Sequence, residues 1–381
     1  MRIGIFVDMY LPHVSGVTNH ISLYKRRWES LGHEVFVFTF GDAGYEDLEP
    51  NVVRTGGLPW GGTGWRFSPV FSARTRELIP TLDVMHAHHP FLSGRLLVPY
   101  RRRLGTPLVF TNHTRYDLYS DEYARFVPKA LRYWFMRWQL GSFARACDLV
   151  IAPAASIAEW LAGFCDFPGA TVIPNGIDVA RFSDPGSKAS RSELGFGEDD
   201  VVFCYAGRLG PEKNTEWLAR EFARAAASSP RVRLLVIGDG PSRRAAESAL
   251  ADAGVADKAR FLGMQPYDLV PGLEAAADAF VTGSVSEVHP LVVLEAMAAG
   301  LPVIGVHSPG ISDTVTDEES GLLAPAVEPG ALADRMQRLA GDDELRARLS
   351  AQARETAKRY SFEHTADVVL EHCEQLAARR R

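Results

Sequence analysis

The sequence predicts an α/β protein built from two doubly wound, Rossmann-like domains. Three observations lead there. Short apolar runs alternate with longer mixed segments along the whole chain, the pattern of buried parallel strands joined by helices. The alternation occurs twice, on either side of the polar stretch DPGSKASRSELGFGEDD (184–200). A length of 381 residues is long for one hydrophobic core and comfortable for two.

In chain order, the strand candidates of the first half are RIGIFV (2–7), EVFVFTF (34–40), DVMHAH (83–88), PLVFTN (107–112), DLVIAP (148–153) and TVIP (171–174). The second half repeats the design with VVFCYAG (201–207), VRLLVIG (232–238), ARFLG (259–263), AFVTGS (279–284) and PVIGV (302–306). Helical stretches such as TEWLAREFARAAA (215–227) and PGALADRMQRLAG (329–341) lie between them. The expected division is a first domain over 1–183, a linker over 184–200 and a second domain over 201–360, with residues 361–381 beyond. In open α/β sheets, ligands bind beyond the carboxyl ends of the strands. The chemistry is therefore expected in the loops that follow strands, lining a cleft shared by the two domains.

Composition excludes several classes. Hydrophobic residues make up 46% and charged residues 23%, which is globular rather than disordered. The four cysteines, Cys147, Cys165, Cys204 and Cys373, form no C-x-x-C pair, against a disulfide framework or a zinc site and for a reducing compartment. MRIGIFV enters a strand pattern at once, and no uncharged apolar run reaches the length of a membrane span. A cytoplasmic protein is expected. Residues 1–170 hold 18 Lys and Arg against 15 Asp and Glu, and the remainder 23 against 32. That asymmetry is too small for nucleic acid, and no nucleic-acid module is present.

The loops carry the candidates. After the first strand, VDMYLPHVSGV places Gly16 before a helix, where a backbone N–H can approach a phosphate or simply form a turn. GDGPSR (238–243) lacks the third glycine of a dinucleotide fingerprint, so a dehydrogenase is disfavoured. AGRLGPEKN (206–214) puts Arg208 and Lys213 beside a helix N-terminus, unpaired by sequence and against the dipole preference. A bound diphosphate would relieve that conflict. In GSVSEVHPLVVLEAMAAG (283–300), Glu287 falls in a loop and Glu295 in the helix that starts near Pro290 and stops at Gly300. Both carboxylates are expected to face one cleft and to accept hydrogen bonds from sugar or ribose hydroxyls. No D-x-D occurs, so no motif suggests a divalent ion.

Two further features remain. His86, His88 and His89 cluster after a strand, but no carboxylate or cysteine completes a metal site at useful spacing, so no metal site is expected. PKALRYWFMRWQLGSFAR (128–145) carries Leu131, Trp134, Phe135 and Trp138 at helical spacing among Lys129, Arg132 and Arg137. Such a stripe fits a packed core or an anionic membrane surface. PWGGTGWRF (59–67) offers Trp60, Trp65 and Phe67 around glycines, suited to lipid contact or to closing over a cleft.

The E-x7-E pair followed by AMAAGLPVIG, the AGRLGPEKN loop and IPNGIDVARF (173–182) together resemble the retaining family 4 glycosyltransferases of GT-B fold. TNHTRYDLY (111–119) is similar to a stretch of the diacylglycerol glucosyltransferases. The resemblance covers nearly the whole chain, including a final helix (361–378) that in such enzymes crosses back to the first domain. It implies that Arg208 and Lys213 hold the donor diphosphate, Gly16 meets the phosphate, Glu295 holds the ribose and Glu287 contacts the donor sugar. Met264, Val288, His289 and Leu291 join the donor side by the same resemblance, His88 and Tyr116 the acceptor side, and His113 stands near the reacting carbon. Pro290 departs from the family's usual glycine and has no N–H to offer the sugar. The implied activity is metal-independent transfer of a hexose, from UDP-glucose or a similar nucleotide-diphosphate sugar, to a membrane lipid such as diacylglycerol. It needs no cofactor beyond the nucleotide sugar. The implied location is the inner face of the cell membrane. The alternatives are a soluble acceptor, or a sugar-binding protein without catalysis.

Overall fold

The computed structural model describes residues 1–13, 15–60, 65–123 and 127–380. The glycines at 61–64 lie outside the described residues, as do the side chains of Trp60, Trp65 and Tyr119. The chain forms two compact units, Met1–Gly176 with Phe362–Arg381, and Ile177–Ser361.

The first unit contains β1 (Arg2–Val7), β2 (Glu34–Phe40), β3 (Val52–Thr55), a separate antiparallel hairpin of β4 (Leu58–Trp60) and β5 (Trp65–Phe67), then β6 (Val84–Ala87), β7 (Leu108–Thr111), β8 (Leu149–Ala152) and β9 (Ala170–Val172). Seven of these form one sheet in the order β3-β2-β1-β6-β7-β8-β9, parallel throughout. β1 is buried on both faces because Ile3, Ile5 and Val7 pack to one side and Phe6 stacks on Phe38 on the other. That double burial is why its sequence is an unbroken apolar run rather than an alternating one.

The helix Phe362–Arg380 belongs to this first unit. Ala366, Val369, Leu370 and Cys373 pack with Tyr24 and Trp28 of the helix Gly16–Ser30. The Trp28 indole N–H donates to the Ala366 carbonyl at 2.9 Å, and Arg27 makes a two-pronged pair with Asp367 at 2.8 and 2.6 Å. Full burial of Trp28 makes this the firmest anchor, since large buried aromatics cost about 3–5 kcal/mol when truncated.

The second unit contains β10 (Val201–Ala206), β11 (Val232–Ile237), β12 (Ala259–Gly263), β13 (Ala279–Val281), β14 (Val303–Val306) and β15 (Gly321–Ala324), ordered β12-β11-β10-β13-β14-β15 and again parallel. Alternate residues divide between the faces: Phe203 and Tyr205 enter one core, Val202, Cys204 and Ala206 the other. Residues 184–200, polar enough to suggest a connector, lie inside this unit, with Leu194 and Phe196 buried in its core. β3 and β15, four-residue strands at the edges of their sheets, escaped the sequence reading. In each sheet the strand order reverses once, between β1 and β6 and between β10 and β13. Ligands of open parallel sheets bind beyond the carboxyl ends at such points.

Candidate functional site

In the second unit the reversal point is occupied by two loops. The loop after β10 turns through Pro211–Lys213, and Asn214, in the left-handed region at φ 51°, starts the helix Thr215–Ser228. The loop after β13 carries Ser284, Ser286 and Glu287. The Asn214 side-chain amide donates to the Gly283 carbonyl at 3.0 Å, and Ser286 Oγ donates to the Glu212 carbonyl at 3.0 Å. Lys213 Nζ donates to Glu287 Oε1 at 2.6 Å. Lys213 is therefore not the unpaired cation its sequence position suggests. Burial alone would raise the Glu287 carboxyl, but the adjacent Lys213 ammonium and its hydrogen bond outweigh that and hold it below the ordinary value. Arg208 lies more open, 3.8 Å from Glu212 Oε1. The sequence could not show the Lys213 pairing because Glu287 sits on a different loop, whereas the Arg208 partner, Glu212, lies four residues on in the same loop.

The glycines of GDGPSR have a packing reason. Gly238 has φ 138°, and a Cβ there would stand 1.9 Å from the Gly207 carbonyl oxygen. The loop after β11 thus lies backbone-to-backbone on the loop after β10. Gly310, at φ 68°, approaches the Glu287 carbonyl in the same way, with a Cβ 2.4 Å away. Both close contacts hold the backbone of the loops that carry Lys213 and Glu287.

Glu295 belongs to a different hydrogen-bond network from Glu287. It lies in the helix Leu291–Ala299, whose Gly300 cap is left-handed as the sequence predicts. Glu295 is buried and its Oε1 accepts from Tyr267 O–H at 2.6 Å. Burial raises its carboxyl from an ordinary 4.5 to about 7, against the lowering effects of Tyr267 and Arg181. Arg181 stands 4.7 Å over the Tyr267 ring. Glu274, fully buried nearby, is held well above its ordinary value by burial and then by the Glu295 charge. Sequence reasoning missed Tyr267 and Glu274. Their one visible signal is a tyrosine and an acid flanking a short apolar helix.

The remaining donor-side candidates divide by exposure. Met264 is exposed after β12, while Val288, His289 and Leu291 are buried. His289 tilts against Tyr360 at 5.3 Å, and burial lowers it to about 4. Pro290 is the N-cap of its helix, so its missing N–H breaks no helical bond.

In the first unit, the reversal point collects residues from three elements. Gly16 is exposed and opens the helix Gly16–Ser30, whose N-cap Ser15 forms a capping box with Thr18. His88 follows β6 and His113 follows β7, and His88 Nδ1 lies 2.8 Å from His113 Nε2. Burial holds both well below the ordinary histidine value. The His86 ring lies 4.3 Å from that of His88, but its Nε2 meets Thr111 Oγ1 at 2.8 Å, and His89 Nδ1 accepts the Asp8 N–H at 3.2 Å. His20, one helical turn after Gly16, joins His88 and His113 instead, with ring centroids 5.7 and 5.0 Å away. Tyr116 is buried edge-on against Phe91.

The helix Lys129–Ala144 settles one open choice. Leu131, Trp134, Phe135 and Trp138 are 43–63% exposed, while Leu140, Phe143 and Ala144 face the core. The aromatic stripe is therefore a surface, not a core face. No helix among the described residues is long and apolar enough to cross a membrane.

Residues 14–181 match the family model described as Glycosyltransferase Family 4, and residues 187–356 match that described as Glycosyl transferases group 1. The alpha-monoglucosyldiacylglycerol synthase of Streptococcus pneumoniae is 30% identical over 336 residues, covering 85% of this chain and 75% of that protein. The D-inositol 3-phosphate glycosyltransferase of Saccharomonospora viridis is 34% identical over 312 residues, covering 78% and 71%. The crystal structure of HepE from Anabaena in complex with UDP and glucose shares the fold, with a TM-score of 0.79 at 20% identity, covering 98% of this chain and 100% of that one.

Proposed function

We propose that this chain, which belongs to the GT-B glycosyltransferases joining a family 4 domain to a group 1 domain, transfers a hexose from a nucleotide-diphosphate sugar to a membrane lipid bearing a free hydroxyl. UDP-glucose is the proposed donor and diacylglycerol the proposed acceptor. The observation that carries the donor reading is the Lys213–Glu287 pair at 2.6 Å, held by the two loops at the reversal point of the second sheet. Lys213, with Arg208 beside it, supplies positive charge for a diphosphate, and Glu287 supplies an acceptor for sugar hydroxyls. Glu295 takes the ribose hydroxyls.

In the proposed reaction the bond between the anomeric carbon and the diphosphate oxygen breaks. The acceptor oxygen bonds to the same face of that carbon, so configuration is retained. The acceptor proton passes to the departing diphosphate. Lys213 and Arg208 stabilise the charge that develops there, the role a metal takes in other transferases. His88, His113 and Tyr116 form the acceptor side, where a neutral His113 can orient a hydroxyl by hydrogen bonding.

The lipid acceptor is supported by the name of the pneumococcal relative and by the exposed Leu131, Trp134, Phe135 and Trp138, flanked by Lys129, Arg132 and Arg137. Aromatic and basic residues together suit an anionic bilayer surface. A second reading, a soluble phosphorylated polyol as acceptor, is favoured by the 34% identity to the D-inositol 3-phosphate enzyme. One experiment separates them. The purified protein is given UDP-glucose, GDP-mannose or UDP-N-acetylglucosamine, with either diacylglycerol in phosphatidylglycerol vesicles or inositol phosphate in solution. Glucosylated lipid from UDP-glucose supports the first reading. Product only in the vesicle-free arm overturns it for the second, and no product in any arm overturns both.

A further inference from the structure

We propose that His20, His88 and His113 form a binding site for a zinc-class divalent cation, and that the bound cation inhibits transfer by occupying His113. One ligating nitrogen from each residue lies within 4.8 Å of the other two. His20 and His88 are buried, and His113 is partly exposed. Three elements bring them together: the helix Gly16–Ser30, the loop after β6 and the loop after β7. Because β1, β6 and β7 are consecutive in the sheet, the grouping is imposed by the fold and not by one mobile loop.

The chemistry of the set selects its ligand. Three imidazoles without a carboxylate suit zinc, cobalt, nickel or copper, and suit magnesium or calcium poorly. Tetrahedral zinc, with Zn–N of about 2.0–2.1 Å, places its nitrogens about 3.3 Å apart. His88 Nδ1 and His113 Nε2 stand at 2.8 Å, so the cation would replace the shared proton with a ring displacement on the order of 0.5 Å. Three protein donors leave a fourth position for water, and the partial exposure of His113 gives water and the cation a route in.

The site is built for reversible occupancy. Ligating histidines in resident metal centres usually pass their second ring N–H to a carboxylate or carbonyl, and losing that partner weakens binding by about 10–100-fold. His88 Nε2 has no such partner among the described residues. His86 Nε2 and His89 Nδ1 are engaged by Thr111 and the Asp8 backbone, and neither residue belongs to the group whose ligating atoms converge. When the cation leaves, the His113 ring regains its lone pair.

The inhibitory half rests on the acceptor-side role of His113 proposed above. Cation binding itself rests on geometry alone. The test uses the full chain, stripped with EDTA and dialysed. Zinc chloride is titrated against a chromophoric chelator, and cobalt chloride is followed by its visible d–d bands. The expected result is one equivalent of zinc per chain and the intense bands of tetrahedral, nitrogen-ligated cobalt. His20→Asn and His88→Gln should each weaken zinc binding by about 10-fold or more. His307→Asn, on an exposed loop of the second unit, should leave it unchanged. Circular dichroism confirms that each variant folds, and the cobalt spectrum of the unmutated protein stands without any variant. Absence of stoichiometric zinc, octahedral cobalt bands, or equal zinc affinity in His20→Asn and His88→Gln overturns the site. With a working donor and acceptor, zinc should inhibit and EDTA should restore the rate. Tight zinc binding without inhibition overturns the inhibitory half, whereas zinc binding with no transfer in any arm overturns the transferase reading and leaves the site standing.

Discussion

Replacing Glu295 by glutamine should stabilise the second unit at alkaline pH while weakening its hold on the donor. The carboxyl is buried and titrates at about 7, against an ordinary 4.5. In the unfolded chain it ionises near the lower value. Between the two, the folded protein carries a proton that the unfolded chain has lost. The stabilisation tied to that proton is complete below about 4.5 and is lost as pH rises through about 7. A gap of about 2.5, at about 1.36 kcal/mol per pKa unit, makes the alkaline penalty on the order of 3 kcal/mol. Glutamine never ionises, and its Oε1 can still accept from Tyr267. The variant should match the wild type near pH 4.5, gain as pH rises to about 7 and keep a constant lead above that. For a unit of this size about 2–4 °C accompanies each kcal/mol, so its melting transition at pH 8.5 should lie roughly 6–12 °C above wild type. Scanning calorimetry from pH 5 to pH 8.5 measures this directly. Equal melting temperatures throughout, or a less stable variant at pH 8.5, would refute burial as the force on Glu295. In parallel, the donor KM should fall with rising pH in the wild type as the carboxylate forms, and should be high and flat in the variant.

Three other outcomes follow from the same geometry. Lys213→Ala should lower turnover by about 10²–10³-fold, or about 3–4 kcal/mol of charge stabilisation. It should also cost about 1–3 kcal/mol of stability, because Glu287 is left buried without its counter-charge; retention of half the wild-type rate would remove Lys213 from the donor site. Activity should survive EDTA undiminished, and an enzyme silenced by EDTA and restored by magnesium or manganese would contradict the metal-free role given to Lys213 and Arg208. Arg132→Glu with Arg137→Glu should reduce co-sedimentation with phosphatidylglycerol vesicles at low salt, by up to about 1 kcal/mol for each charge removed. The wild type should also detach as salt rises, and equal partitioning of the two proteins would exclude this helix from membrane contact.

What the sequence disclosed depended on how local the determining force is. Doubly buried strands announce themselves as apolar runs, so β1, β2, β10 and β11 were legible, whereas the short edge strands β3 and β15 were not. The stop at Gly300 was legible because a left-handed cap selects glycine locally. The direction of the stripe on Lys129–Ala144 was not, since periodicity gives a face but not what it faces. Pairing was the least legible of all. Lys213 and Glu287 are 74 positions apart, and nothing in either loop specifies the other. They meet because β10 and β13 are neighbours, which the chain order of strands does not reveal. His20, His88 and His113 obey the same rule in the first sheet through β1, β6 and β7. The reversal of strand order therefore carries information that no motif holds. Once it is placed, the loops after the flanking strands and the first turns of the helices that follow become the set to test, and His20 enters that set four positions after Gly16.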